Sequence, residues 1–190
     1  MSAIVTGVRH TAWVELIRLT PGSWRTWRDI RLTALASDPA AFGPVLERER
    51  GYTEQDWRTS LLPEQGVRVV ARDAGPGAEG SVGLVAAIPH WEDSGVLYLF
   101  SMWVRPEARG RGVGAALVGD VLEWAGEHGW PVVRLRVFLD NEVARRLYLR
   151  MGFAGEGEHL ERRLGGGVPE QAGAPSPATV SFAAADRVER

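Results

Sequence analysis

The chain contains no cysteine. That one absence removes disulfides, thiolate metal sites and a cysteine nucleophile together. It contains no lysine either, so all 22 of its basic side chains are arginines. This reads first as a genomic composition bias, and only secondarily as a device to avoid modification of its own lysines. Asparagine occurs once, at Asn141. No apolar run approaches the roughly 20 residues of a membrane-spanning helix, and the N-terminus lacks a charged-then-apolar leader pattern. The net charge of −2 gives no excess of positive charge for nucleic acid or an anionic membrane surface. The expectation is a cytoplasmic protein without nucleic-acid, membrane or metal partners, with a homodimer left open.

What is present suits one globular domain over residues 1–190. The apolar share is 45% and the charged share 24%, enough for a sizeable core inside a soluble surface. Residues 1–11 lack periodicity and read as a loose terminus. Trp13 to Leu19 reads as a first strand. Ser23 is placed to cap a helix whose Trp24, Trp27, Ile30 and Ala34 share one stripe. A charged run follows at Glu47-Arg48-Glu49-Arg50, and Thr53 opens a short helix containing Trp57 and Leu61. Val67 to Ala71 and Ser81 to Ile88 read as an antiparallel hairpin around Gly75-Pro76-Gly77.

The most informative stretch is Val96 to His128. An apolar, aromatic strand (Val96 to Val104) leads through a polar turn into Gly110-Arg111-Gly112-Val113-Gly114. Beyond it Val113, Leu117, Val121, Leu122 and Ala125 recur at helical spacing. A strand, a glycine loop and a helix start in that order form an anion-binding device. The first helical amides lack partners, the dipole's positive end lies behind them, and the glycines admit a close approach. Val132 to Val137 then alternates Val133, Leu135 and Val137 against Arg134 and Arg136, so one face is buried. A last helix starts near Asp140-Asn141 with Ala144, Leu147, Tyr148 and Met151 on one side. Glu158 to Leu164 reads as a strand, residues 165–177 as a flexible loop and Val180 to Phe182 as a short final strand. The order predicts a mixed α/β sheet, antiparallel in its N-terminal half, with one parallel crossover.

The glycine loop alone is weak evidence. A dinucleotide fingerprint would sit in a leading βαβ unit with an acidic residue about 20 positions on. This loop comes late, after a meander, and it lacks the P-loop lysine. Arg109-Gly110-Arg111-Gly112-Val113-Gly114, entered through Trp103-Val104-Arg105-Pro106, resembles the Arg/Gln-x-x-Gly-x-Gly/Ala signature of the GNAT N-acetyltransferase superfamily. Asn141, Ala144, Leu147, Tyr148, Met151, Gly152 and Phe153 are similar to that family's second motif. Trp27, Arg31, Leu32, Ala34, Leu35 and Asp38 to Gly43 look like one of its branches.

The resemblance implies the GNAT acyl-CoA N-acyltransferase fold, its parallel strand pair splayed at the cofactor site, with acetyl-CoA as donor and a primary amine of a small molecule or peptide as acceptor. It implies that the backbone from Arg109 to Ala115 (Arg109, Gly110, Arg111, Gly112, Val113, Gly114 and Ala115) cradles the pyrophosphate. Backbone groups of Met102 and Val104, with Trp103 between them, would bind the pantetheine arm, and a bulge there would splay the strand from its neighbour. Asn141 would contact the arm, Arg145 would lie near the adenosine phosphate, and Tyr148 would protonate the leaving thiolate.

The general base stays open. The strand from Val96 to Val104 has no carboxylate, which leaves His90, Glu92, Asp93, Asp140 or water. Glu47 and Glu49 are expected either to attract a cationic substrate or to form a solvated helix end. A non-catalytic acyl-CoA-binding module on the same fold is the alternative to an enzyme.

Overall fold

The computed structural model describes residues 8–10, 14–42, 45–74 and 80–165. Within them one sheet of seven strands runs in sequence order: β1 (Val8–His10), β2 (Val14–Arg18), β3 (Val67–Asp73), β4 (Ser81–Pro89), β5 (Val96–Val104), β6 (Val132–Arg136) and β7 (His159–Arg163). All neighbours are antiparallel except β5 and β6, which are parallel. This is the mixed sheet with a single parallel pair that the sequence predicts. One expectation needs correcting. Val8–His10 are not loose, because they pair with Glu15–Ile17 of β2 as an edge strand. Three residues are too few to show a period, so only the partner strand reveals them. The expected strand at Val180–Phe182, the loop beyond Gly165 and the 75–77 turn lie outside the described residues.

The helices fill both faces. α1 (Trp24–Ser37), α2 (Pro39–Phe42), α3 (Leu46–Arg50) and α4 (Glu54–Thr59) lie between β2 and β3 in the chain. The predicted α1 stripe is buried against Trp57, Val70, Leu84, Ala86 and Trp103. No Ser23 side-chain bond caps α1, which a one-turn 3-10 helix enters instead. Thr53 does cap α4, in a reciprocal pair with Asp56. On the opposite face α5 (Val113–Glu127) buries Val113, Leu117, Val121, Leu122 and Ala125 against β2–β6. α6 (Glu142–Arg150) joins that layer through Ala144, Tyr148 and Met151. A buried ion pair, Arg18 Nε to Asp120 Oδ2 at 2.8 Å, fastens β2 to α5.

Candidate functional site

The site begins where β5 and β6 separate. Their parallel ladder runs from Val96–Val132 to Leu99–Leu135 and ends there. On its other edge β5 has Trp103 opposite Leu84 and Phe100 opposite Ala86, so Val85 faces two residues, Ser101 and Met102. That is a β-bulge, and it reverses the side-chain parity of the strand. Tyr98 and Phe100 face the α1 side, and after the extra residue so does Trp103. Ser101 has φ of 56°, the one non-glycine residue in the left-handed region among the described residues. For an L-residue this costs about 1–2 kcal/mol, so the surroundings must hold it there.

They do so through Arg31. Its Nη1 donates to Ser101 Oγ at 2.9 Å. The rest of its fork donates to both oxygens of Glu49, at 2.9 and 2.7 Å. Arg31 and Glu49 are 4% and 0% exposed. Glu49 is therefore neither a lure for a cationic substrate nor a solvated helix end, as its charged sequence neighbourhood suggests. It is the buried partner of a buried arginine. Glu47 is exposed, as are Arg48 and Arg50, and it pairs with Arg50.

The parted strands open into a cavity of about 750 Å³. At one end stands the start of α5. Gly112, at φ of 82°, turns the chain into the helix, and no side chain caps it. At Gly114 an added Cβ would stand 3.2 Å from Leu147, 3.5 Å from Met102 and 3.8 Å from Val104. Bare backbone therefore reaches the junction of β5, α5 and α6, where any larger residue would crowd it. An uncapped helix start lined with glycine suits phosphate oxygens.

Of the expected site residues, Met102, Trp103, Val104, Arg109, Gly110, Gly112, Val113, Gly114, Ala115, Asn141 and Tyr148 line this one cavity. The Trp103 side chain is turned away into the α1 core. Asn141 caps α6, its side-chain oxygen accepting from Ala144 N at 3.1 Å. The amide NH₂ group of its side chain remains as a donor. Tyr148 is 5% exposed and packs edge-on against Phe153 at 5.7 Å. Arg109 reaches back to the Val104 carbonyl at 2.9 Å and to Asp38 at 3.1 Å, closing one wall. Arg111 and Arg145 are not in the lining: Arg111 faces Asp73 at 3.5 Å and Arg145 donates to the Gly157 carbonyl at 2.6 Å.

Sequence reasoning missed several wall residues, chiefly Ser101, Phe138, Arg136 and Arg150. The alternation of β6 did carry a signal for Arg136, which sits on the face opposite Leu135. Its guanidinium pairs with Glu158 at 2.7 Å. Behind Phe100, 5.9 Å from its ring, lies buried Arg68. Burial, assisted by the charge of Arg31, pushes its pKa down to about 9, so it stays charged at neutral pH.

None of the base candidates reaches the cavity wall. His90 stacks on Trp91 at 4.2 Å, and its Nδ1 accepts from the Glu92 amide at 3.3 Å. Burial, and then the charge of Arg134, lower its pKa against the opposing pull of Asp93 and Glu92. Asp93 accepts from Arg134 at 3.0 Å, and Asp140 is exposed. Among the described residues Asp38 is the one carboxylate in the lining. No group of three or more His, Asp or Glu is arranged to hold a metal among those residues, and no helix there is long and apolar enough to cross a membrane.

Residues 24–153 match the model of the acetyltransferase (GNAT) family. An uncharacterised N-acetyltransferase of Methanocaldococcus jannaschii is 37% identical over 76 residues, covering 38% of this chain and 34% of that one. N-acetyltransferase 8F1 of Rattus norvegicus is 40% identical over 82 residues, covering 42% and 37%. The chain thus spans about a third of the length of these curated relatives. A GNAT superfamily phosphinothricin acetyltransferase from Sinorhizobium meliloti, solved in complex with acetyl-CoA, superposes with a TM-score of 0.59. That match covers 80% of this chain and 89% of that one at 20% identity, a likeness of fold.

Proposed function

The chain belongs to the GNAT acetyltransferase family, and we propose that it transfers the acetyl group of acetyl-CoA to a primary amine of a small molecule or peptide. The observation that carries this reading is the parting of β5 and β6 beyond Leu99 and Leu135, in a cavity that ends on the uncapped start of α5. A slot between strands suits an extended, amide-bearing arm, and the helix start suits a pyrophosphate. The likeness to a structure solved with acetyl-CoA supports the same donor.

The donor supplies an activated acyl group on sulfur. The amine nitrogen forms the new bond to the carbonyl carbon, and the carbon–sulfur bond breaks. In this reading backbone N–H groups at the β5 bulge polarise the carbonyl oxygen. Tyr148, buried in the wall, gives its phenolic proton to the leaving sulfur; an unperturbed phenol, with a pKa near 10, lies close enough to a thiol for such a transfer. The amine's proton passes to water, since the lining carboxylate Asp38 is engaged by Arg109.

That engaged carboxylate also favours a second reading, a non-catalytic acyl-CoA-binding module on the same fold. Free-thiol release from acetyl-CoA with a panel of small amines and peptide N-termini separates the two. Amine-dependent release supports transfer. Tight acetyl-CoA binding without release from any amine supports the binding module.

A further inference from the structure

We propose that Arg31, locked by Glu49, is a positioning residue that holds the β5 bulge in the form presenting its amides to the thioester. The proposal rests on the acetyl-CoA reading above and gives Arg31 and Glu49 a role that this reading leaves unassigned.

The parts are specific. Ser101 occupies a left-handed conformation that L-residues avoid. Its hydroxyl is held by Arg31 at 2.9 Å. Arg31 comes from α1, and the two-pronged grip of Glu49 from α3 leaves it one orientation. Phe42 from α2 lies under the guanidinium, 5.0 Å from ring centre to carbon. Three helices on one face of the sheet therefore converge on one backbone torsion. The cost of burying both ions is large, and apolar residues of similar size commonly serve stability equally well. Stability alone does not call for this pair; a fixed torsion at the cavity wall does. The same link joins the α1–α3 segment, which frames the amine's side of the cavity through Arg31, Asp38 and Phe42, to the strand that frames the donor's side.

If the clamp exists to hold the left-handed torsion, glycine at 101 makes it dispensable, because glycine adopts that torsion freely. Ser101→Ala loses the hydroxyl and keeps the strain, whereas Ser101→Gly loses both. The expected result is that Ser101→Ala lowers the preference for acetyl-CoA over CoA roughly three- to tenfold, the range of one hydrogen bond, while Ser101→Gly leaves it near wild type. The carbonyl stretch of bound carbonyl-¹³C acetyl-CoA should move toward its solution frequency in Ser101→Ala and stay shifted in Ser101→Gly. In Arg31→Met/Glu49→Leu the same losses should appear, and adding Ser101→Gly should reverse them.

Amide hydrogen exchange at Met102 and Trp103 reads the bulge without ligand: faster in Ser101→Ala, unchanged in Ser101→Gly. Should the double variant fail to fold, the contrast between the two Ser101 variants still decides. Equal behaviour of the alanine and glycine variants in exchange would overturn the proposal. So would a folded double variant with wild-type exchange. Wild-type protein that does not bind acetyl-CoA would count against the functional reading alone, because the exchange contrast would still report on the clamp.

Discussion

Leu99 stands opposite Leu135 on the last rung of the parallel ladder, and both side chains are almost fully buried. Beyond this rung the bulge at Ser101 and Met102 carries β5 away from β6. The core therefore closes the slot at one end, and glycine backbone closes it at the other.

Tyr148 lines the cavity from the buried side of α6. Tyr148→Phe keeps the ring and its contact with Phe153 but removes the acid. Turnover should fall by about 10²- to 10⁴-fold, the usual contribution of a positioned proton donor. The dissociation constant for acetyl-CoA should change by less than about threefold. Unchanged turnover would remove Tyr148 from the mechanism.

Gly114 has no room for a branched side chain beside Leu147 and Met102. Gly114→Val should weaken coenzyme A binding about tenfold or more, since overpacking costs about 1–3 kcal/mol and about 1.4 kcal/mol is tenfold. Isothermal titration checks this. Wild-type affinity in a folded variant would mean that the phosphates do not use this helix start.

Asp120 lies in the core outside the cavity lining, paired with Arg18. Asp120→Ala should cost about 1.5–3 kcal/mol of stability, because the buried Arg18 guanidinium loses its Nε acceptor and keeps only Glu127, at 2.7 Å from Nη1. Denaturant midpoints should drop while acetyl-CoA affinity of the folded fraction stays the same. Loss of affinity without loss of stability would contradict the division between core and site.

His90 is half-buried, and its pKa lies below the ordinary histidine value chiefly through desolvation. The unfolded chain therefore takes up this proton at a higher pH than the folded one. Stability should fall as pH drops through about 6.5, toward the folded pKa of His90. His90→Gln should flatten that part of the stability profile, measured by thermal melts from pH 7.5 to 5. An unchanged slope would mean that His90 does not contribute to it.

Much of the architecture was legible because periodicity and local chemistry agree there. The α5 stripe, the Thr53 cap and the alternating β6 all depend on neighbours within a turn or two. Part of the cavity lining was legible for the same reason: Gly110, Gly112, Gly114, Asn141 and Tyr148 stand out in local patterns and meet at one cavity. What escaped was set by partners distant in sequence. Glu49 looks solvated among charged neighbours, and only Arg31, 18 residues earlier, makes it a core residue. Ser101 gives no sign of its left-handed torsion, which depends on that same arginine 70 residues before it. Arg111 sits within the glycine motif yet turns toward Asp73 at the end of β3.

We propose the slot beyond Leu99 and Leu135 as the donor site. A crystal structure of the protein with coenzyme A tests it most directly. The account predicts phosphate oxygens within hydrogen-bond distance of the backbone N–H groups between Gly110 and Ala115. It also predicts the pantetheine arm between β5 and α6, with the thiol near Tyr148. Coenzyme A bound elsewhere, with β5 and β6 parted around nothing, would contradict it.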